Sequence, residues 1–113
     1  MKKIAAWLFS RGYRLEVGRR FECDHFERVI TYPPQAGYRL RMITLLHECG
    51  HVLCGDKYDY FRDPVECLHE ECEAWYRGWR LGQRLGVRVS RRAYLRARAR
   101  GVASYARWLT RAG

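Results

Sequence analysis

Two histidines spaced four residues apart, His47 and His51, restrict the fold of this chain more than any other feature. Apolar residues recur at helical spacing through residues 39–54, and side chains four positions apart on a helix lie on the same face. That face is apolar, so two imidazoles on it without partners would cost free energy. The pattern predicts a helix that presents two imidazoles to one metal ion. The alternative is a pair of core histidines satisfied by other polar groups.

The segment from His47 to His51 reads His-Glu-Cys-Gly-His, an HExxH sequence. Zinc binds imidazole nitrogens at about 2.0–2.1 Å in tetrahedral geometry. Glu48 lies about 100° round the helix from His47, which is too far to bind the same ion but allows contact with a water molecule on that ion. We therefore predict that Zn²⁺ is the cofactor and that Glu48 is a catalytic general base.

A catalytic zinc ion needs a third protein ligand and an open fourth position. Residues 64–85 predict a second helix, because Asp63 suits the N-cap, Pro64 the first helical position and Gly86 the stop. Glu71 lies on its apolar stripe, where a carboxylate is costly unless it is paired or bound to a cation. Glu71 is therefore the predicted third ligand, with a buried ion pair to an arginine as the alternative, and His69 is a weaker candidate.

The cysteines suggest an alternative to an open metal site, namely a closed zinc site with thiolate ligands. Their number, five, is odd, which argues against a disulfide framework. Cys54 follows His51 on the same helical face, and Cys67 or Cys72 from the next helix could complete a closed zinc site that stabilises the fold without catalysis. Cys23 is a weaker candidate for a thiolate ligand.

The remaining patterns predict a single α+β domain over residues 1–113. Pro33, Pro34 and Gly37 separate an N-terminal part with strand patterns from a C-terminal part with helical patterns. The predicted elements are a helix at 2–10, strands at 15–17, 21–23 and 25–32, and helices at 39–54, 64–85 and 90–110. We expect a small antiparallel or mixed sheet of two to three strands packed on the HExxH helix, beside the second ligand-bearing helix and a basic C-terminal helix.

Positive charge is concentrated at the C-terminal end. Residues 74–113 contain 11 arginines and no acidic residue, whereas residues 1–73 contain all 12 acidic residues and 11 lysines or arginines. In the Arg-rich part, 87–113, the predicted apolar stripe comprises Leu95, Ala99, Val102, Ala106 and Leu109. Nucleic acid is a candidate partner on another side of that helix, through Arg92, Arg96, Arg100 and Arg107. An acidic protein partner, or a merely solvated helix face, is the alternative.

The sequence lacks the features of a membrane protein. No stretch approaches the roughly 20 apolar residues of a membrane helix, and the apolar run at residues 4–9 is too short for a secretory signal. We therefore expect a cytoplasmic protein with no membrane partner. With 48% hydrophobic residues, the chain also differs from disordered proteins.

Residues 41–53, which read RMITLLHECGHVL, resemble the T-L-x-H-E-x-G-H-like helix of the ImmA/IrrE family of zinc metallopeptidases. Glu71-Cys72-Glu73-Ala74 resembles the family's next element, a glutamate three residues before an alanine, and the likeness covers residues 14–80. It implies His47, His51 and Glu71 as zinc ligands and Glu48 as the catalytic base. It also implies a protein substrate, in this family often a transcriptional regulator, and a compact form similar to those of phages and mobile elements.

Two tyrosines in the predicted loop between the ligand-bearing helices, Tyr58 and Tyr60, are candidates for stabilising an oxyanion on the scissile carbonyl. We favour the simpler interpretation that they pack on the surface.

Overall fold

The computed structural model describes residues 1–55 and 63–112, so the predicted loop at 56–62 lies outside the described residues. The elements in chain order are α1 (Lys2–Ser10), β1 (Arg14–Val17), β2 (Glu22–Asp24), β3 (Val29–Tyr32), α2 (Tyr38–Cys54), α3 (Pro64–Leu85) and α4 (Arg91–Ala112). This order confirms the predicted α+β fold with a small sheet.

The strands form one mixed sheet in the order β1-β3-β2. β1 runs parallel to β3, with Leu15 opposite Ile30, and β2 runs antiparallel to β3, with Cys23 opposite the same residue. Ile30 is fully buried at the centre of the sheet. β3 therefore lies between the two strands that precede it in the sequence, and α2 contacts both β2 and β3.

The third strand begins at Val29, four residues later than predicted. Asp24 accepts hydrogen bonds through Oδ1 from the backbone N–H groups of Phe26 and Glu27, both at 3.0 Å. Arg28 then has a positive φ of 56°. The aspartate turn and the left-handed residue reverse the chain before pairing can begin, because a side chain that bonds its own backbone competes with the strand ladder.

The two ligand-bearing helices end where the sequence indicates. Asp63 caps α3 by accepting a hydrogen bond from the Val65 N–H at 2.7 Å. Gly55 and Gly86 end α2 and α3 in left-handed conformations, with φ of 63° and 70°. Such a residue suits glycine, which has no Cβ to clash with the backbone.

α2 and α3 pack at unusually close range. A Cβ atom at Gly50 would lie 1.8 Å from the carbonyl oxygen of Ala74, and one at Gly78 would lie 2.2 Å from the carbonyl oxygen of Leu46. Each helix thus presents a glycine to the backbone of the other, so neither contact tolerates a larger side chain. This pair of contacts fixes the separation and the register of α2 and α3.

α4 covers the outer side of this pair. Tyr94 is 1% exposed, and its hydroxyl donates a hydrogen bond to the Trp75 carbonyl oxygen. Ser90 caps the helix by accepting a hydrogen bond from the Ala93 N–H at 3.2 Å. Gly101 admits the Trp75 indole, since a Cβ there would lie 3.0 Å from the ring.

The buried face of α4 differs from the predicted apolar stripe. Leu95 is 43% exposed and Ala99 is also exposed. Val102, which the predicted stripe includes, does pack against the core, but it does so together with Tyr94 and Ala97, which the stripe leaves out. Trp108 is 60% exposed. Contacts of Tyr94 and Gly101 with Trp75 orient the helix, and a stripe built from alanines buries too little apolar surface to outweigh them.

No helix within residues 1–55 and 63–112 combines the length and the apolar composition needed to cross a lipid bilayer.

Candidate metal centre

Three of the predicted site residues meet where α2 crosses α3. Glu71 Oε1 lies 2.8 Å from His47 Nε2, and Glu71 Oε2 lies 3.1 Å from His51 Nε2. The two Nε2 atoms are themselves 3.1 Å apart. Zinc ligands at about 2.0–2.1 Å in a tetrahedral arrangement are separated by about 3.3 Å, so the three side chains have close to the mutual spacing that one ion requires.

The chemistry of these donors also fits a cation. When Nε2 of both imidazoles is unprotonated, the two lone pairs and the Glu71 carboxylate repel one another, so a positive charge among the three groups stabilises the arrangement. His47 is only 8% exposed, and the Glu71 side chain only 13%, which leaves little water to screen that repulsion. Two neutral imidazoles and one carboxylate are a recurrent donor set of catalytic zinc. The residues therefore fit the metal that the sequence predicts.

The carboxylate of Glu71 remains ionised in this setting. Burial raises the pKa of Glu71, but hydrogen bonds from His47 and His51, together with the electrostatic attraction of the two rings, outweigh that effect and hold the pKa well below its ordinary value. The site thus carries one fixed negative charge, which favours a divalent cation among the three side chains.

The close contact between α2 and α3 positions the ligands. Gly50 precedes His51 directly and Leu46 precedes His47, so both glycine contacts flank the two imidazoles. Glu71 lies one turn before Ala74, which faces Gly50. The backbone packing therefore brings the carboxylate within reach of both rings.

Trp75 is a part of this site that the sequence analysis does not identify. Its indole stacks on the His47 imidazole, with ring centroids 3.9 Å apart and planes 7° apart. Stacking leaves the edge of the imidazole, and therefore Nε2, directed at Glu71. Its position in the sequence could have identified it, because Trp75 follows Glu71 by four residues and so lies on the same face of the helix.

Glu48 lies beside the ligand group and is not part of it. Its Oε1 is 4.0 Å from Nδ1 of His47, whereas Glu71 contacts Nε2 of the same ring. Its side chain is 13% exposed. The role of Glu48 as a general base stays a prediction.

The cysteines do not assemble the rival site. In the described part of the chain, the group of side chains placed to share an ion is His47, His51 and Glu71, with no sulfur atom among them. Cys49 is fully buried, and its burial raises the pKa of the thiol far above the ordinary value, with Glu48 and Cys23 adding to the effect. Such a thiol is a poor source of thiolate.

The other predicted candidates lie elsewhere. His69 is exposed on α3, and Arg92, Arg96, Arg100 and Arg107 are all exposed on α4. Tyr58 and Tyr60 lie outside the described residues. None of these residues belongs to the metal-binding group found among residues 1–55 and 63–112.

Comparison with models of protein families, with curated proteins and with solved structures finds no match to this chain. The likeness to the ImmA/IrrE family therefore stays a prediction, carried by residues 41–53 and 71–74, and the candidate site stands on its own geometry.

Proposed function

We propose that this protein is a zinc-dependent metallopeptidase of the ImmA/IrrE type that hydrolyses a peptide bond in a protein substrate. The proposal rests on the close approach of three side chains from two helices, His47, His51 and Glu71. Their nitrogen and oxygen atoms lie 2.8–3.1 Å from one another. Three protein ligands of this kind leave one position of a tetrahedral ion for water, which is the mark of a catalytic rather than a structural site.

When bound, zinc supplies a Lewis acid that lowers the pKa of water to roughly 7. The chain supplies the proton transfers and the orientation. Glu48 accepts the proton as the water attacks the scissile carbonyl and returns it to the leaving amine. Glu71 provides the negative charge, and Trp75 holds the plane of His47 by stacking on it.

The test compares the zinc-loaded wild-type protein with the Glu48→Gln variant. Each is incubated with a mixture of peptides from a digested bacterial proteome, and new termini are identified by mass spectrometry. Bound zinc is measured in the same samples. We expect cleavage by the wild type only, with the same zinc content in both proteins, because glutamine keeps the shape of Glu48 but cannot accept the proton.

Two results would contradict the proposal. Equal cleavage by both proteins would show that a contaminant or another group does the chemistry. A full complement of zinc without cleavage by either protein would favour the alternative function, a zinc-stabilised regulator without hydrolytic activity that binds nucleic acid.

A further inference from the structure

A groove between α3 and α4 shares one wall residue, Trp75, with the candidate metal centre. It has a volume of about 310 Å³, and its walls include Tyr76, Trp79, Arg80, Arg91, Tyr94 and Arg98. That volume is at the lower end of the range for small-molecule sites, which run from about 300 to 1,000 Å³. The groove therefore has room for one compact ligand or one segment of a chain.

The charge of the groove has a single sign. Three guanidinium groups, from Arg80 on α3 and from Arg91 and Arg98 on α4, line it, and none of the described residues in its walls is acidic. Glu73, three residues before Tyr76 on α3, is 3.4 Å from Arg77 and so already faces another arginine. An anion in the groove would therefore meet no competing carboxylate among the described residues that line it.

Aromatic rings form much of the remaining wall. Tyr76 is 52% exposed, and its hydroxyl accepts a hydrogen bond from Nη1 of Arg80 at 3.0 Å, which holds that guanidinium at the rim. Trp79 and Tyr94 pack against each other with centroids 5.2 Å apart. The Arg80 guanidinium also lies over the Tyr76 ring, 5.9 Å from its centroid. A flat ring that enters the groove would therefore meet aromatic side chains together with a positioned cation.

We infer that this groove binds a nucleotide, with the base stacked on Tyr76 or Trp79 and the phosphate held by Arg80, Arg91 and Arg98. Arginine forms bidentate hydrogen bonds to phosphate, and bases stack on aromatic side chains. An acidic peptide would satisfy the guanidinium groups but would make no use of the aromatic side chains that form the rest of the wall. The surrounding sequence, with 11 arginines and no acidic residue in 74–113, suits the repeated charge of a phosphate backbone.

The end of α4 adds to the attraction. Arg91 is the first residue of this 22-residue helix and also lines the groove. Backbone N–H groups at a helix N-terminus carry partial positive charge and favour phosphate. The binding residues differ from those that the sequence indicated, because Arg92, Arg96 and Arg100 are exposed on α4 but do not line this groove.

The test measures binding by the catalytically disabled Glu48→Gln variant, so that it is independent of peptide hydrolysis. One probe is AMP, followed by quenching of tryptophan fluorescence. The other is a fluorescein-labelled single-stranded oligodeoxynucleotide of about twelve residues, followed by anisotropy at about 0.15 M salt. Binding of AMP alone identifies a free nucleotide as the ligand, and binding that requires the oligonucleotide identifies a nucleic-acid strand.

Matched arginine variants locate the site. Arg98→Ala should weaken binding about tenfold, whereas Arg96→Ala, which removes the same charge two residues away, should weaken it by less than about threefold. Tyr76→Ala should also weaken binding about tenfold, and Tyr76→Phe should retain most of it, because phenylalanine keeps the stacking face.

Three results would overturn the inference. The first is no binding of either probe. The second is an equal loss in Arg96→Ala and Arg98→Ala, which would indicate diffuse attraction to the whole helix. The third is displacement of the oligonucleotide by a polyglutamate peptide at equal charge concentration, which would identify the groove as a surface for acidic proteins.

Discussion

The indole of Trp75 lies flat on the imidazole of His47, with ring centroids 3.9 Å apart and an interplanar angle of 7°. The same residue accepts a hydrogen bond from Tyr94 through its carbonyl oxygen and packs its ring on Gly101. Trp75 therefore connects α4 to the metal centre, although α4 supplies none of the three ligands. A helix that supplies no candidate ligand thus contacts the residue that stacks on His47.

Trp75→Phe tests this connection. The smaller ring keeps an apolar side chain in the core but reduces the area stacked on His47, so we expect zinc affinity to fall about tenfold, as for other residues that orient ligands. Competition with a chelator measures the affinity. Trp79→Phe is the control, because Trp79 packs on Tyr94 instead of His47. Equal zinc affinity in the two variants would disprove the role of the stack.

Gly50→Ala tests the close contact of α2 and α3. The new Cβ would lie 1.8 Å from the carbonyl oxygen of Ala74, so the helices must separate. We expect a loss of about 1–3 kcal/mol in the free energy of unfolding without metal, and weaker zinc binding because His51 moves away from Glu71. Urea unfolding with and without zinc measures both effects.

The control for that prediction is Gly37→Ala. Nothing lies within 4 Å of a Cβ at Gly37, and its φ of −61° suits any residue. We expect a change of no more than about 1 kcal/mol, the usual range for an N-cap substitution. A Gly50→Ala protein as stable as this control would show that the helix contact is not tight.

Glu71→Gln tests the charge of the site in the metal-free protein. The pKa of Glu71 is lower in the folded chain than its ordinary value of 4.5, so the ionised carboxylate stabilises the fold. That contribution is complete above pH 4.5 and is lost as the pH falls towards the folded pKa. We expect the stability of the wild type to decrease more steeply below pH 4.5 than that of Glu71→Gln. Urea unfolding at several pH values gives the two slopes, and parallel slopes would contradict the assignment.

The sequence predicts those features of the fold and the candidate site that residues close to one another in the chain determine. The positions of His47, His51 and Glu71 follow from helical periodicity, and the structure brings the three together. Asp63, Ser90 and Gly86 act on their own helix ends, and each lies where the pattern indicates. These features need no knowledge of distant residues.

The features that the sequence did not predict arise from contacts between distant elements. The face of α4 is set by Tyr94 and Gly101 on Trp75, which lie 19 and 26 positions apart in the chain. The late start of β3 depends on an aspartate turn that competes with the strand pattern. The arginines of the groove, Arg80 and Arg98, become neighbours only once α3 and α4 have paired.

The last prediction concerns the cysteines, because they separate an open zinc site from a closed one. Cys54 and Cys72 lie partly buried on α2 and α3, outside the group of ligands found in the described residues. We expect the double variant Cys54→Ser, Cys72→Ser to bind one zinc ion per chain with the wild-type affinity, because neither sulfur takes part. His51→Ala should lose the ion, since it removes one of three ligands. Zinc content after gel filtration and chelator competition measure both.

Loss of zinc from the double serine variant, with retention in Glu71→Gln, would show a closed cage of histidine and cysteine ligands. Without a free coordination position, such a cage could not activate water, and the protein could not be a zinc peptidase.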